Sequence, residues 1–217
     1  MEYKNLVIHW LGHAGFKIIS REKMIFIDPF QLSEKSSNEK VDVIFITHSH
    51  YDHCSIEDIK KIIKTETIVV ATSDVQSKLG KVAPHVSAFI VEPGMSYNVG
   101  KILFQTVPAY NINKNFHPKN NYWTGYLINF DGIKIYHSGD TDLIPEMKNV
   151  KTDIALIPVG GTYTMNAEEA VRTVEIIKPS LAIPMHYGSI VGSREDAERF
   201  VDGCREKGIK AEILEKE

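Results

Sequence analysis

Residues 41–47, VDVIFIT, form an unbroken β-branched and aromatic run that opens directly onto His48-Ser49-His50-Tyr51-Asp52-His53. The run reads as a buried strand, because continuous rather than alternating apolar character marks a strand covered on both faces. Three histidines and an aspartate thus leave a buried strand end within six residues. A helix is predicted next, over 55–64. Ser55 is its cap, Asp58 supplies a carboxylate three residues on, and Ile56, Ile59, Ile62 and Ile63 form its apolar face. A strand end, a tight turn and a capped helix aim side chains into one pocket. Imidazole and carboxylate in such a pocket suit zinc, manganese or iron(II).

The same rhythm extends along the chain. Strands are predicted over 6–11, 16–20, 24–28, 67–72, 88–91, 101–108, 125–129, 134–137, 153–159, 181–185 and 211–214. Helices are predicted over 74–79, 167–177 and 194–207, with Gly80 and Gly208 where helices should stop. Asp131-Gly132 is a strong hairpin signal. Strands first, then strand–helix alternation, in both halves, predicts an α/β fold of two sheets with helices outside. The length of 217 residues suits a single domain, 1–217. Residues 31–40 read as a polar, Ser-rich surface loop. Residues 111–122 are polar, aromatic and unperiodic, and long loops of that kind are often functional.

Composition narrows the function classes. The net charge of −3 argues against a general nucleic-acid binder, which would usually be basic. It leaves anionic substrates open, because bound cations would dominate the local field. Two cysteines, Cys54 and Cys204, build no disulfide framework and read as free thiols of a reducing cytoplasm. The first residues, MEYKNLVIHWLGHAGF, lack the charged and apolar regions of a signal peptide or membrane anchor. A cytoplasmic enzyme with a small-molecule substrate is expected, with no nucleic-acid partner and no membrane anchor; homo-oligomerisation is left open. No Gly-x-Ser-x-Gly elbow, Walker loop or dinucleotide fingerprint competes with the histidine run.

Two further predicted strands end in metal-ligand chemistry. Residues 137–142, HSGDTD, place Asp140 after one of them, and His186 closes the strand LAIPM in the string MHYG. Either alone reads as a turn or structural residue. With the histidine run they form a pattern.

That pattern is recognisable. THSHYDH resembles the His-x-His-x-Asp-His signature of the metallo-β-lactamase superfamily, GDT at 139–141 its bridging-aspartate motif, and MHYG at 185–188 its last histidine motif. IHWLGHAGF, IDPF at 27–30 and PVGGTYTM at 158–165 resemble one branch. It holds small metal-dependent hydrolases, L-ascorbate-6-phosphate lactonase and the phospholipase D acting on N-acyl-phosphatidylethanolamine. The resemblance implies a four-layer αββα sandwich of two mixed sheets with outer helices. It implies two divalent metal ions, zinc first and manganese as the alternative. His48 and His50 would bind one ion, Asp52, His53 and His186 the other, and Asp140 would bridge them.

The chain departs from the family at one place. Where a histidine usually completes the first metal's ligands, Pro108-Ala109-Tyr110-Asn111 carries asparagine, and His117 lies six residues on. Whether Asn111 or His117 completes that set stays open. His13, in Gly12-His13-Ala14-Gly15, matches a position near the metals in the resembling branch; together with Asn111 and Tyr163 it is expected to meet substrate. His9 reads as structural, His85 as a surface-loop residue, His137 as support for the ligands, and Cys54 as a small packing residue.

The expected chemistry is hydrolysis. Paired cations lower the pKa of bound water towards ~7, and the resulting metal-bound hydroxide, held in line by Asp52, attacks a small ester, lactone or phosphodiester. Two alternatives stand beside it: an iron-dependent redox enzyme on the same scaffold, and a binding or sensing protein with a degenerate site. Asn111 is the residue that keeps the last in view.

Overall fold

The computed structural model describes residues 1–21, 23–80 and 86–217. His85 lies outside the described residues. The chain folds as two compact units, Met1–Val91 with Leu214–Glu217, and Glu92–Ile213.

The amino-terminal unit is one mixed sheet whose seven strands lie in sequence order. They are β1 (Glu2–Tyr3), β2 (Leu6–Gly12), β3 (Gly15–Ser20), β4 (Lys23–Ile27), β5 (Val43–Ile46), β6 (Ile68–Ala71) and β7 (Ser87–Ile90). β1 to β4 pair antiparallel, and β4 to β7 pair parallel. Parallel neighbours need crossovers, and α1 (Glu34–Ser37), α2 (Ile56–Ile62) and α3 (Gln76–Leu79) supply them. Every residue of β5 is buried, as its unbroken apolar run requires. α2 starts where Ser55 accepts from the Asp58 backbone N–H, and it buries Ile59 and Ile62 in a core with Phe26, Ile44 and Val69. Full burial of such side chains contributes about 1.5–3 kcal/mol each. The 31–40 segment is not pure surface loop. Ser33 caps α1 and Ser36 is buried, so local side-chain capping builds a helical turn there.

The carboxy-terminal unit repeats the plan. β8 (Ser96–Val99), β9 (Ile102–Pro108), β10 (Thr124–Phe130) and β11 (Ile133–His137) are antiparallel; β12 (Ile154–Pro158) and β13 (Leu181–Met185) continue parallel to β11. Asp131 and Gly132 both have positive φ, the backbone a two-residue hairpin demands. α4 (Ala167–Ile177) carries a capping box between Asn166 and Glu169, and α5 (Arg194–Glu206) one between Ser193 and Asp196.

The strand expected over 211–214 is a single bridge from Ala211 to Ala182. The Ala182 N–H donates to Lys210 and its carbonyl accepts from Glu212. The next donor on β13 is Pro184, which has no N–H, so the ladder stops. Among the described residues no helix is long and apolar enough to cross a membrane.

Candidate functional site

In both units the polar residues singled out above follow the carboxyl ends of strands, where the ladder releases the backbone. In the amino-terminal unit β4 runs out at Ile27 and β5 at Ile46, so Asp28 and Thr47-His48 emerge side by side. Asp28 is fully buried in the left-handed region at φ 45°, a conformation costly for a residue with a Cβ. Its carboxylate is saturated with donors. Oδ1 accepts from the Thr47 N–H at 2.8 Å, and Oδ2 accepts from the Thr47 hydroxyl at 2.6 Å and from His53 Nδ1 at 2.7 Å.

Those bonds decide how two imidazoles carry their protons. An ionised carboxylate only accepts, so His53 Nδ1 is the protonated nitrogen and Nε2 keeps its lone pair. The Thr47 hydroxyl spends its one proton on Asp28, so it accepts from His48 Nδ1 at 3.0 Å; His48 Nε2 keeps its lone pair too. His48 Nε2 lies 3.0 Å from His50 Nδ1. Asp52 Oδ2 lies 2.9 Å from His13 Nε2 and 3.6 Å from His53 Nε2. His13 ends the β2–β3 hairpin in the left-handed region, at φ 51°. Lys78 ties down the turn by donating to the Ser49 carbonyl. Burial pushes the Cys54 thiol up to about 12, so at neutral pH it is a packing group, not a thiolate. His9 stands apart on β2, paired with Glu217.

In the carboxy-terminal unit Asp140 follows β11 through a turn braced by His137, whose Nδ1 accepts from the Gly139 N–H at 3.2 Å. Two imidazoles flank one oxygen of Asp140: His186 Nε2 at 3.0 Å and His117 Nε2 at 3.2 Å from Oδ2. His186 takes φ 61° directly after β13. A side chain on Gly160 would collide with the His186 carbonyl oxygen, so that glycine lets β12 approach the strained histidine.

Asn111 and His117 are hydrogen-bonded to each other within this unit. Asn111 Nδ2 donates to Asp142 Oδ1 at 3.1 Å and to the Tyr163 carbonyl at 2.9 Å. Both partners are acceptors, which fixes the orientation of the amide. Its Oδ1 therefore faces His117, accepting from the backbone N–H at 3.0 Å and from Nδ1 at 3.1 Å. The amide is used up inside the unit, and His117 turns Nε2 to Asp140. Asp142 is anchored in turn by Lys114 Nζ at 2.6 Å and the Ile112 N–H at 2.9 Å. Tyr163 reaches this network through its carbonyl, while its ring packs edge-on against Phe116.

Comparison with known proteins places the chain. The sequence profile of the β-lactamase superfamily domain matches residues 7–186. The chain belongs to the metallo-β-lactamase superfamily. A UPF0173 metal-dependent hydrolase of Thermococcus onnurineus is 34% identical over 95% of this chain and 94% of its own length. Another, from Thermoplasma acidophilum, is 36% identical over 91% of this chain and 90% of its own. The solved structure of a protein from Parabacteroides distasonis, described as a metal-dependent hydrolase, matches with a TM-score of 0.86 at 30% identity. The match covers 98% of this chain and 94% of that one. The two mixed sheets with helices are the fold class of the superfamily, and at the family level the chain is a metal-dependent hydrolase.

Four residues of the network are not among the site residues expected from sequence: Asp28, Thr47, Asp142 and Lys114. Asp28 lies in the IDPF string directly after β4, Thr47 directly after β5 in THSHYDH, and Asp142 in GDTD, five residues beyond β11. Lys114 carried no signal beyond its place in an unperiodic loop.

Proposed function

We propose that the protein hydrolyses a small ester, lactone or phosphodiester with two divalent cations, zinc first and manganese as the alternative. The observation that carries the reading is that His48, His53 and His117 each have Nδ1 within hydrogen-bond distance of a buried oxygen. The partners are Thr47, Asp28 and Asn111 respectively, which leaves Nε2 of each ring as the nitrogen that would meet a cation. Three imidazoles oriented this way have the chemistry of metal ligands rather than of solvated loop histidines. The donor set of nitrogen and carboxylate oxygen fits zinc or manganese.

In this reading His48, His50, Asp52, His53, His117, Asp140 and His186 are the residues that would hold the cations. Bound cations acidify water and offset the negative charge that develops on the attacked group. The protein's own part is orientation and proton transfer. Asp52 Oδ2 takes the proton of the attacking water, and His13 Nε2, 2.9 Å away, holds that carboxylate in place.

Elemental analysis of the purified protein, with turnover of p-nitrophenyl esters and bis-p-nitrophenyl phosphate, tests this. Two equivalents of zinc or manganese with turnover of one panel member are expected. A protein that retains no metal and turns over nothing after loading with either ion is not this enzyme.

A further inference from the structure

The loop 111–122 carries two cations, Lys114 and Lys119, and a phosphate-binding loop would turn them outward. In this loop both are engaged by acidic side chains. Lys114 Nζ pairs with Asp142 Oδ1 at 2.6 Å. Lys119 Nζ pairs with Glu146 Oε1 at 3.0 Å, lies within 3.2 Å of the Tyr110 hydroxyl and covers the Tyr110 ring. Both charges have an acidic partner, Lys114 at 22% side-chain exposure and Lys119 at 60%. Beside its exposed asparagines the loop presents large apolar side chains: Ile112 is 53% exposed, Phe116 47% and Tyr122 68%.

That exposure is imposed by rigid backbone. The Asn111 N–H donates to the His117 carbonyl at 2.8 Å, and the His117 N–H donates to Asn111 Oδ1, so the two ends of the segment are stapled together. The Ile112 N–H is bound to Asp142. The Phe116 ring meets Tyr163 edge-on at 4.7 Å. Phe116 adjoins His117 in the chain, and Ile112 adjoins Asn111. A clamped loop that holds half-exposed apolar side chains next to a candidate ligand forgoes their burial, and bound apolar matter would recover it.

We propose that the substrate carries an apolar acyl or alkyl group that seats against Ile112, Phe116 and Tyr163, and that this loop does not recognise phosphate. The inference rests on the hydrolase reading and narrows it to esters or lactones with an apolar arm. A patch of three side chains seats a few methylenes, not a membrane.

Binding and turnover are measured separately on the metal-loaded full chain. Octanoate, acetate and inorganic phosphate serve as equilibrium probes, and p-nitrophenyl acetate and octanoate as substrates. With about 0.8 kcal/mol per fully buried methylene, partial burial of the octanoate chain should tighten binding at least about tenfold over acetate. Phe116→Ala should cut that preference to about threefold, and Phe116→Leu should keep most of it. Ile112→Ser, at an exposed position, gives a second variant should Phe116→Ala fail to fold. Octanoate preference without ester turnover keeps the apolar seat and sinks the hydrolysis of esters. Ester turnover without chain-length preference overturns the seat, as does phosphate binding tighter than octanoate. Binding to neutral phosphatidylcholine vesicles that Phe116→Ala abolishes, with no octanoate preference, also overturns it and assigns the loop to a lipid surface.

Discussion

The two units solve the same problem with opposite economies of sequence. In the amino-terminal unit His48, His50, Asp52 and His53 come from one turn after one strand, and the acceptors behind His48 and His53 are the adjacent Thr47 and Asp28 from the neighbouring strand end. In the carboxy-terminal unit Asp140, His117 and His186 come from three separate loops, and the group that orients His117 depends on Asp142, Lys114 and Tyr163. A short motif on a parallel strand end is held by the sheet itself. A dispersed set needs a chain of buried polar bonds, and such networks are costly to leave half satisfied.

The comparison can be broken at its strongest point first. Asp52→Asn removes the proposed proton acceptor while keeping its shape, so kcat should fall about 10²- to 10⁴-fold with little change in melting temperature. Intact turnover by that variant would remove Asp52 from the chemistry. Next come the two orienting groups. Thr47→Val and Asn111→Ala should each weaken metal binding about 10- to 100-fold by titration calorimetry. Asn111→Ala should be the worse, because it also unstaples the 111–117 segment and leaves Asp142 short of a donor. Equal effects would mean that the dispersed set is as locally held as the compact one.

The smallest effect belongs to the amino-terminal unit alone. Burial by itself would raise the Glu217 carboxyl, but the hydrogen bond and charge of Lys17 hold it below its ordinary 4.5. A depressed folded pKa makes the unfolded state the better proton binder, so this stabilisation is complete above about pH 4.5 and fades as pH falls through the folded value. Melting temperature followed down from pH 6 should decline in that window, and Glu217→Gln should decline less steeply. Parallel curves for the two proteins would show that the Lys17 pair contributes nothing to acid sensitivity.

Much of this was legible in the sequence. Unbroken runs such as VIFI and LAIPM marked buried strands, Asp131-Gly132 marked its hairpin, and Asn166 and Ser193 opened helices near their expected starts. The edge strand β8 was missed because SYNV alternates over only four residues and buries only Val99. The strand expected over 211–214 failed because its ladder depends on Pro184, a donor missing from a different segment. The site divides the same way. His48, His50, Asp52 and His53 were visible because ligand spacing is a local property. The loop 111–122 was visible only as a functional candidate, since no local rule says which way Lys114 turns.

The sequence by itself determined the strand-end histidine run, the two-sheet α/β plan and the family. These follow from periodicity and from motifs held within a few residues. Only the tertiary structure decided that Asn111 is the orienting group and His117 the imidazole beside Asp140. Only it showed that Asp28 sets the proton on His53, and that Lys114 is paired inward while Phe116 and Ile112 face out. Each of those outcomes rests on hydrogen bonds between residues far apart in sequence. The orientation of an amide or the protonated nitrogen of an imidazole is set by the acceptors that surround it, which no local pattern encodes.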